Sequence, residues 1–300
     1  MSVNYHGYDV WELPPNGQGI AVLQMLNMLK KFDLKAMNHN SAEYLHLLIE
    51  IKKIVYEDRA RFYADPKFMQ VPVVKLLSDE YAAKRLRYYN PEKANMGIPA
   101  GDELLKKGDT VYLAVVDKDF NAVSFIQSNY YGFGSGMVPD GMGFCLHDRG
   151  ALFSLEEGHP NVIAPGKRPF HTIIPGFVTK DDKPVFSYGV MGGEMQPQGH
   201  VQVLLNIIDF GMNVQEAGDA PRFHHAGSSE PSGGIMNDGG VVYLESGISP
   251  EVVRELVKKG HKISHIVGGF GGYQGIFIDT DKGIMVGGSE SRTDGCAIGY

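Results

Sequence analysis

The stretch that decides the fold is Gly108-Asp109-Thr110-Val111-Tyr112-Leu113-Ala114-Val115-Val116-Asp117. It begins as a turn and continues as a run of β-branched and apolar residues. Paired across Lys118-Asp119-Phe120 with Asn121-Ala122-Val123-Ser124-Phe125-Ile126-Gln127-Ser128, it predicts a β-hairpin. It also marks a change of texture. Before it, Ile20, Leu23, Leu26 and Met28 sit at near-helical spacing. A longer helix is predicted from about Ser41 to Tyr63, with Ser41 as N-cap and a stripe of Leu45, Leu48, Ile51, Ile54 and Val55. A third is predicted over Val73 to Arg87. After it, strands are predicted at Lys183 to Val190, Gly240 to Glu245, Lys262 to Val267, Gly275 to Ile278 and Gly283 to Val286. Helices interrupt them at Gly199 to Phe210 and Pro250 to Lys259. The pattern is α+β, or a layered sandwich of helices and sheets.

Composition narrows the function classes. The 300 residues are 43% hydrophobic and 21% charged, which suits a globular chain. The 28 Lys and Arg against 35 Asp and Glu leave a net charge of −7 and no basic face, so no nucleic-acid partner is expected. No apolar run reaches the roughly 18 residues of a membrane span, and none is expected. Two cysteines, Cys145 and Cys296, are too few for a disulfide framework or a Cys-based zinc site. The opening MSVNYHGYDVWELPPNG lacks the layout of a signal peptide. A cytoplasmic location is therefore expected, unless an export signal lies upstream of Met1.

The glycine clusters Gly132 to Gly136 and Gly268 to Gly272 do not open predicted helices, so both read as loops rather than phosphate cradles. His261 and His265 fall on a predicted strand, which sets them about 13 Å apart, too far for a shared metal. No metal and no cofactor is expected. Cys145 reads as a small core residue. Thr110 starts a strand, and a lone threonine hydroxyl is a poor nucleophile without a base. Cutting the chain just before it supplies one. The freed α-amine, with a reference pKa of about 7.7–8.0, can take the hydroxyl proton at neutral pH.

An ordered set of short motifs then joins the argument. It comprises Pro14-Pro15-Asn16-Gly17-Gln18-Gly19, Thr110 with Val115-Val116-Asp117-Lys118-Asp119, and Asn121-Ala122-Val123-Ser124. Further along come Pro165-Gly166-Lys167-Arg168-Pro169, Gly192-Gly193 and Ile208-Asp209-Phe210-Gly211-Met212-Asn213-Val214. Ala220-Pro221-Arg222-Phe223-His224-His225 and the closing Asp294 to Tyr300 complete it. Together these resemble the γ-glutamyltranspeptidase family of N-terminal-nucleophile hydrolases, in order and over nearly the whole chain. The resemblance implies a four-layer αββα sandwich, incomplete here on its N-terminal side. It implies a precursor that cuts itself between Asp109 and Thr110. Residues 1–109 would be the C-terminal part of the large subunit and 110–300 the small catalytic subunit, held together as a heterodimer. Thr110 would attack an amide, and the acyl-enzyme would pass its acyl group to water or an amine.

By the same resemblance, Ser128 stands where the family has a threonine that hydrogen-bonds the nucleophile. Gly192 and Gly193 match the pair whose N–H groups form the oxyanion hole. Two departures stand out. Where the family places Gln or Asn and then Asp to hold the substrate ammonium, this chain has Arg149 and Leu152. Where it places Ser-Ser for the α-carboxylate, this chain has His171-Thr172. Leucine cannot pair with an ammonium. The pattern is therefore more similar to the acylase and amidohydrolase branch, including oxamate-amidohydrolase-like proteins, and a carboxylate-bearing amide is the expected substrate. Arg149 is either the partner of that carboxylate or an exposed loop arginine. Genuine γ-glutamyl transfer on glutathione is the alternative within the class. The family's large subunit begins well upstream of Met1 and supplies a carboxylate-clamping arginine. The chain is thus either a fragment or split product, or one that has shed part of its pocket. A non-catalytic remnant that binds a partner is the alternative outside the class.

Overall fold

The computed structural model describes residues 1–96 and 108–300, with the backbone alone at Gly108 and Asp109. Two short strands, β1 (Ser2–Tyr5) and β2 (Tyr8–Trp11), precede the first helix, α1 (Gly19–Leu29). Helices α2 (Leu34–Met37), α3 (Ala42–Phe62), α4 (Val73–Leu76) and α5 (Asp79–Arg85) follow. The expected hairpin is β3 (Gly108–Val116) with β4 (Ala122–Tyr131). Then come β5 (Gly176–Lys180), β6 (Lys183–Met191), α6 (Met195–Ile208), α7 (Val214–Asp219) and β7 (Phe223–Ala226). The described chain closes with β8 (Val241–Leu244), α8 (Pro250–Lys258), β9 (Ile263–Ser264), β10 (Gly272–Asp279) and β11 (Ile284–Ser289).

One antiparallel sheet organises the molecule, in the order β1-β2-β5-β6-β10-β11. Helix α1 packs against β1, α3 and α6, and α6 lies on β6. The β3–β4 ribbon packs against β6 and β10. Every residue of α1 is buried, as suits a helix enclosed on all sides. The apolar stripe predicted for α3 is buried throughout, and the Ser41 hydroxyl accepts from the Tyr44 N–H as its cap. One hydrophobic core contains residues from both sides of the composition boundary. The boundary stretch itself falls largely outside the described residues. The α+β class holds. Among the described residues the other sheets are the two-stranded β3–β4 ribbon, on which Val111, Leu113, Val115, Val123 and Phe125 are exposed, and a three-stranded sheet in the order β7-β8-β9.

Several expected elements differ in extent. The helix expected over Val73 to Arg87 breaks in two because the Ser78 hydroxyl accepts from Tyr81 N–H and caps a new start. Helix α6 begins four residues before Gly199. Pro197 is tolerated there because first-turn N–H groups have no helical partner to lose. Gly199 itself is required by contact, since a Cβ would sit 2.5 Å from Val190 Cγ1. The strand expected over Lys262 to Val267 shrinks to β9, and the chain turns away at Gly268 and Gly269, both with positive φ. The β1–β2 hairpin was not foreseen. Its turn, His6-Gly7, has φ of 50° and 86°, the doubly positive geometry of a tight hairpin, carried on an unusual residue pair.

The closing segment is tied down by charge. Arg222 and Glu290 form an ion pair at 2.9 Å with both side chains at most 1% exposed. Arg222 also donates to the carbonyls of Gly218 and Phe270, while Arg292 bridges Glu245 and Glu290 at 2.6 Å each.

Candidate active site

Thr110 lies where the β3–β4 ladder slips. Asp109 faces Tyr130 and Thr110 faces Ser128, so Asn129 is left over, a bulge of the kind that re-aims side chains. Thr110 is 7% exposed, and its hydroxyl donates to Ser128 Oγ at 3.2 Å. Ser128 Oγ also accepts from the Tyr130 N–H at 2.8 Å. Tyr130 has φ of 81°, a left-handed conformation that is costly for a bulky residue. Its hydroxyl accepts from Tyr131, and burial pushes its pKa above the ordinary tyrosine range. The Asp109 side chain lies outside the described residues.

Beside this ladder is a cavity of about 540 Å³. Its wall includes Tyr130, Leu152, Thr172, Gly192, Gly193 and Glu194. Thr110 and Ser128 are not on that wall, and Ser128 is joined to it through the Tyr130 N–H. The glycine pair closes β6 and precedes α6. Gly192 has φ of 127° and Gly193 of 58°, conformations that only glycine takes without strain. Their carbonyls accept from Met195 and Gln196, starting the helix. Neither glycine N–H donates to an acceptor among the described residues.

Arg149 is not an exposed loop arginine. It sits on a 3₁₀ turn, is 6% exposed, donates to Thr172 Oγ1 at 3.3 Å and lies 5.4 Å from the Tyr130 ring centre. Its Nη2 has no hydrogen-bond partner among the described residues. Thr172 lines the cavity, whereas Arg149 and His171 do not. Burial, with Arg149 and Arg168 nearby, holds the His171 pKa down to about 4, so the ring is neutral at pH 7. Cys145, expected in the core, is half-buried in the loop after β4. That loop packs through backbone contacts such as Ser135 N–H to Leu146 O rather than through an apolar cluster.

The structure adds residues that sequence reading gave no role. The Gln18 amide donates to the carbonyls of Thr172 (2.7 Å) and Gly193 (2.9 Å), and its oxygen accepts from Arg59 at 2.8 Å. Arg59 comes from α3, stacks on Tyr56 and stands 3.5 Å from Glu194. Glu194 and Glu230 both line the cavity and hydrogen-bond to each other. Burial pushes the Glu230 pKa up, and the Glu194 charge adds to it, to about 8. Burial also pushes Glu194 up, but the Glu230 hydrogen bond and the charges of Arg59 and Lys52 outweigh it and hold Glu194 down. The pair therefore shares one proton at neutral pH. Gln18 lies in a quoted motif and Glu194 adjoins another. Glu230 sits in a Ser/Gly/Pro-rich loop with no sequence signal at all.

For a metal, the described residues offer one group, His46, Glu50 and His261, with donor atoms within 4.8 Å of one another. Those donors are already used. His46 Nδ1 pairs with His261 Nε2 at 2.7 Å, and Glu50 pairs with Lys53. Protein contacts alone thus account for the cluster.

A family model described as gamma-glutamyltranspeptidase matches residues 1–300. The glutathione hydrolase-like YwrD proenzyme of Bacillus subtilis (strain 168) is 36% identical over 304 residues, covering 100% of this chain and 55% of that protein. The oxamate amidohydrolase proenzyme of Klebsiella pneumoniae (strain ATCC 700721 / MGH 78578) is 32% identical over 303 residues, covering 100% and 55%. The crystal structure of cephalosporin acylase from Bacillus halodurans superposes with a TM-score of 0.87 at 43% identity, covering 100% of this chain and 53% of that one. The chain thus spans about half the length of the relatives it matches.

Proposed function

We propose that this chain, which belongs to the gamma-glutamyltranspeptidase family, is an amide hydrolase whose nucleophile is Thr110, exposed by cleavage after Asp109. The observation that carries the reading is the 3.2 Å hydrogen bond from Thr110 to Ser128 at a ladder slip beside the cavity. In maturation the Thr110 hydroxyl adds to the Asp109 carbonyl carbon, and the peptide C–N bond breaks to give an ester. That shift already frees the Thr110 α-amine; water then hydrolyses the ester to the Asp109 carboxylate and the Thr110 hydroxyl, leaving two subunits associated through the shared core.

In turnover the α-amine takes the Thr110 hydroxyl proton as the oxygen attacks the substrate carbonyl. The oxyanion is held by the Gly192 and Gly193 N–H groups, which is supported by their lack of any acceptor among the described residues. The proton passes to the leaving amine, and the ester is resolved by water or an acceptor amine. Arg149, buried against Thr172 with one unpartnered nitrogen, supports an acyl group that bears a carboxylate.

The test is intact mass after incubation at neutral pH, with Thr110→Ala alongside, followed by a screen of carboxylate-bearing amides. Cleavage before Thr110 in the wild type alone, and an ester mass on the fragment that begins at Thr110, are expected. A wild-type chain that stays whole and acquires no ester sinks the reading.

A further inference from the structure

The geometry points to Glu194 and Glu230 as the cation subsite of the cavity, a place for a protonated amine on the ligand. The inference deepens the reading above, because it takes this cavity to be the substrate site. Leu152, which stands where an ammonium-binding carboxylate would be expected, lies on the wall and can pair with no charge. Two carboxyl groups stand on the same wall, with one guanidinium to balance their charge. Glu194 follows directly on the glycine pair, so a group bound there sits next to the backbone N–H donors.

One guanidinium stands within ion-pair distance of the carboxyl pair among the described residues. Arg59 Nη2 stands 3.5 Å from Glu194 Oε2 and is shared with the Ser229 carbonyl at 3.4 Å, while Nη1 donates to Gln18. Lys52 is turned away, donating to His225 Nδ1, His225 O and Ser228 Oγ within 3.0 Å. Glu194 Oε2 is buried with no hydrogen-bond partner among the described residues. On the Glu230 carboxyl the Ser232 hydroxyl, at 3.2 Å, is the one donor among the described residues. His224 shares the wall, is 7% exposed, and its Nδ1 also lacks a partner among the described residues. Burial, more than offsetting the nearby Glu194 charge, keeps His224 neutral at pH 7, with its pKa held down to about 4, so it adds no competing charge. Tyr130, Phe170 and Tyr243 complete an aromatic surround that favours a cation.

Binding is then linked to a proton. Alone, the pair keeps one proton between two oxygens. A ligand ammonium replaces it, and the proton leaves to solvent. Affinity for an amine should therefore rise as pH approaches the raised pKa of Glu230, with Arg59, Lys52, His224, Tyr56 and Tyr130 as the other groups facing the pair.

Benzylamine and benzyl alcohol are matched probes, since they differ only in the cationic nitrogen and suit an aromatic-lined cavity. Titration of the purified full chain by ligand-observed NMR reads binding without requiring turnover. We expect benzylamine to bind roughly tenfold tighter at neutral pH, the factor that about 1.4 kcal/mol gives. The preference should widen from pH 6 to pH 8 and fall to about threefold or less in Glu230→Gln and in Glu194→Gln. Equal binding of both probes by the wild type overturns the inference, and so does a preference that survives in both variants. The wild-type pH series needs no variant to fold. Absence of cleavage at Thr110 sinks the catalytic reading and leaves this binding result standing, so the two failures are distinct.

Discussion

Gln18 donates its side-chain amide to the Gly193 carbonyl at 2.9 Å, linking the start of α1 to the glycine pair across 175 positions of sequence. The same amide holds Thr172, and its oxygen holds Arg59. Gln18 is thus a positioning residue for three parts of the site. Gln18→Glu keeps an acceptor for Arg59 but loses both donor contacts, leaving buried carbonyls short of a partner at about 1–3 kcal/mol. We expect kcat to fall about tenfold with little change in KM, while Gln18→Ala also lowers Tm. Wild-type kcat in Gln18→Glu would remove the positioning role.

Gly192 holds φ at 127° with Gly271 Cα only 3.3 Å from where a Cβ would be. Alanine there must shift the backbone and swing the N–H away from its line. The expected result is a loss of about 10²–10³ in kcat, the range for one oxyanion donor. Circular dichroism should stay close to wild type. A Gly192→Ala enzyme with normal turnover would place the oxyanion donors elsewhere.

Ser128→Ala removes the acceptor of the Thr110 hydroxyl and also that of the Tyr130 N–H. Release of the Thr110 fragment should slow about tenfold, as expected for one neutral hydrogen bond. Ser128→Thr keeps the hydroxyl and should restore the rate. A time course by intact mass reads both.

Arg222 and Glu290 are buried together, so removing Arg222 strips Glu290 Oε2 of its ion pair, leaving only the Arg292 pair on Oε1, and takes a donor from the carbonyls of Gly218 and Phe270. Arg222→Ala should cost about 3–5 kcal/mol. The exposed pair Lys258–Glu255 on α8 is the control, and Lys258→Ala should cost under about 1 kcal/mol. Urea denaturation of the two variants makes the comparison.

Burial holds the pKa of His171 and His224 down to about 4 and that of His261 to about 3, against about 6.5 in an unfolded chain. Between those values the unfolded state binds more protons than the folded one. Stability is therefore fully present above about pH 6.5 and is lost as pH falls toward 4. Tm should drop by several degrees, on the order of 5 °C or more, between pH 7 and pH 5. A flat Tm over that range would mean the three rings are hydrated.

What the sequence determined is local or periodic. The α3 stripe, its Ser41 cap, the β3–β4 hairpin and the turn at Lys118 to Phe120 all depend on neighbours in the chain, and all are found. The facing of Thr110 and Ser128 follows from that hairpin, because a short turn sets the register of its strands. The tertiary structure decided what depends on distant partners. Arg149 is buried because the 3₁₀ turn packs onto Thr172 and Tyr130, a contact its loop-like sequence does not encode. At the break before Ser78 the Asn27 amide, 50 positions away, donates to the Leu77 carbonyl, a partner that the run of helix formers does not show. Glu194 and Glu230 meet across 36 positions, carried by a helix start and an irregular loop. Their shared proton exists only because folding removes both from water at once.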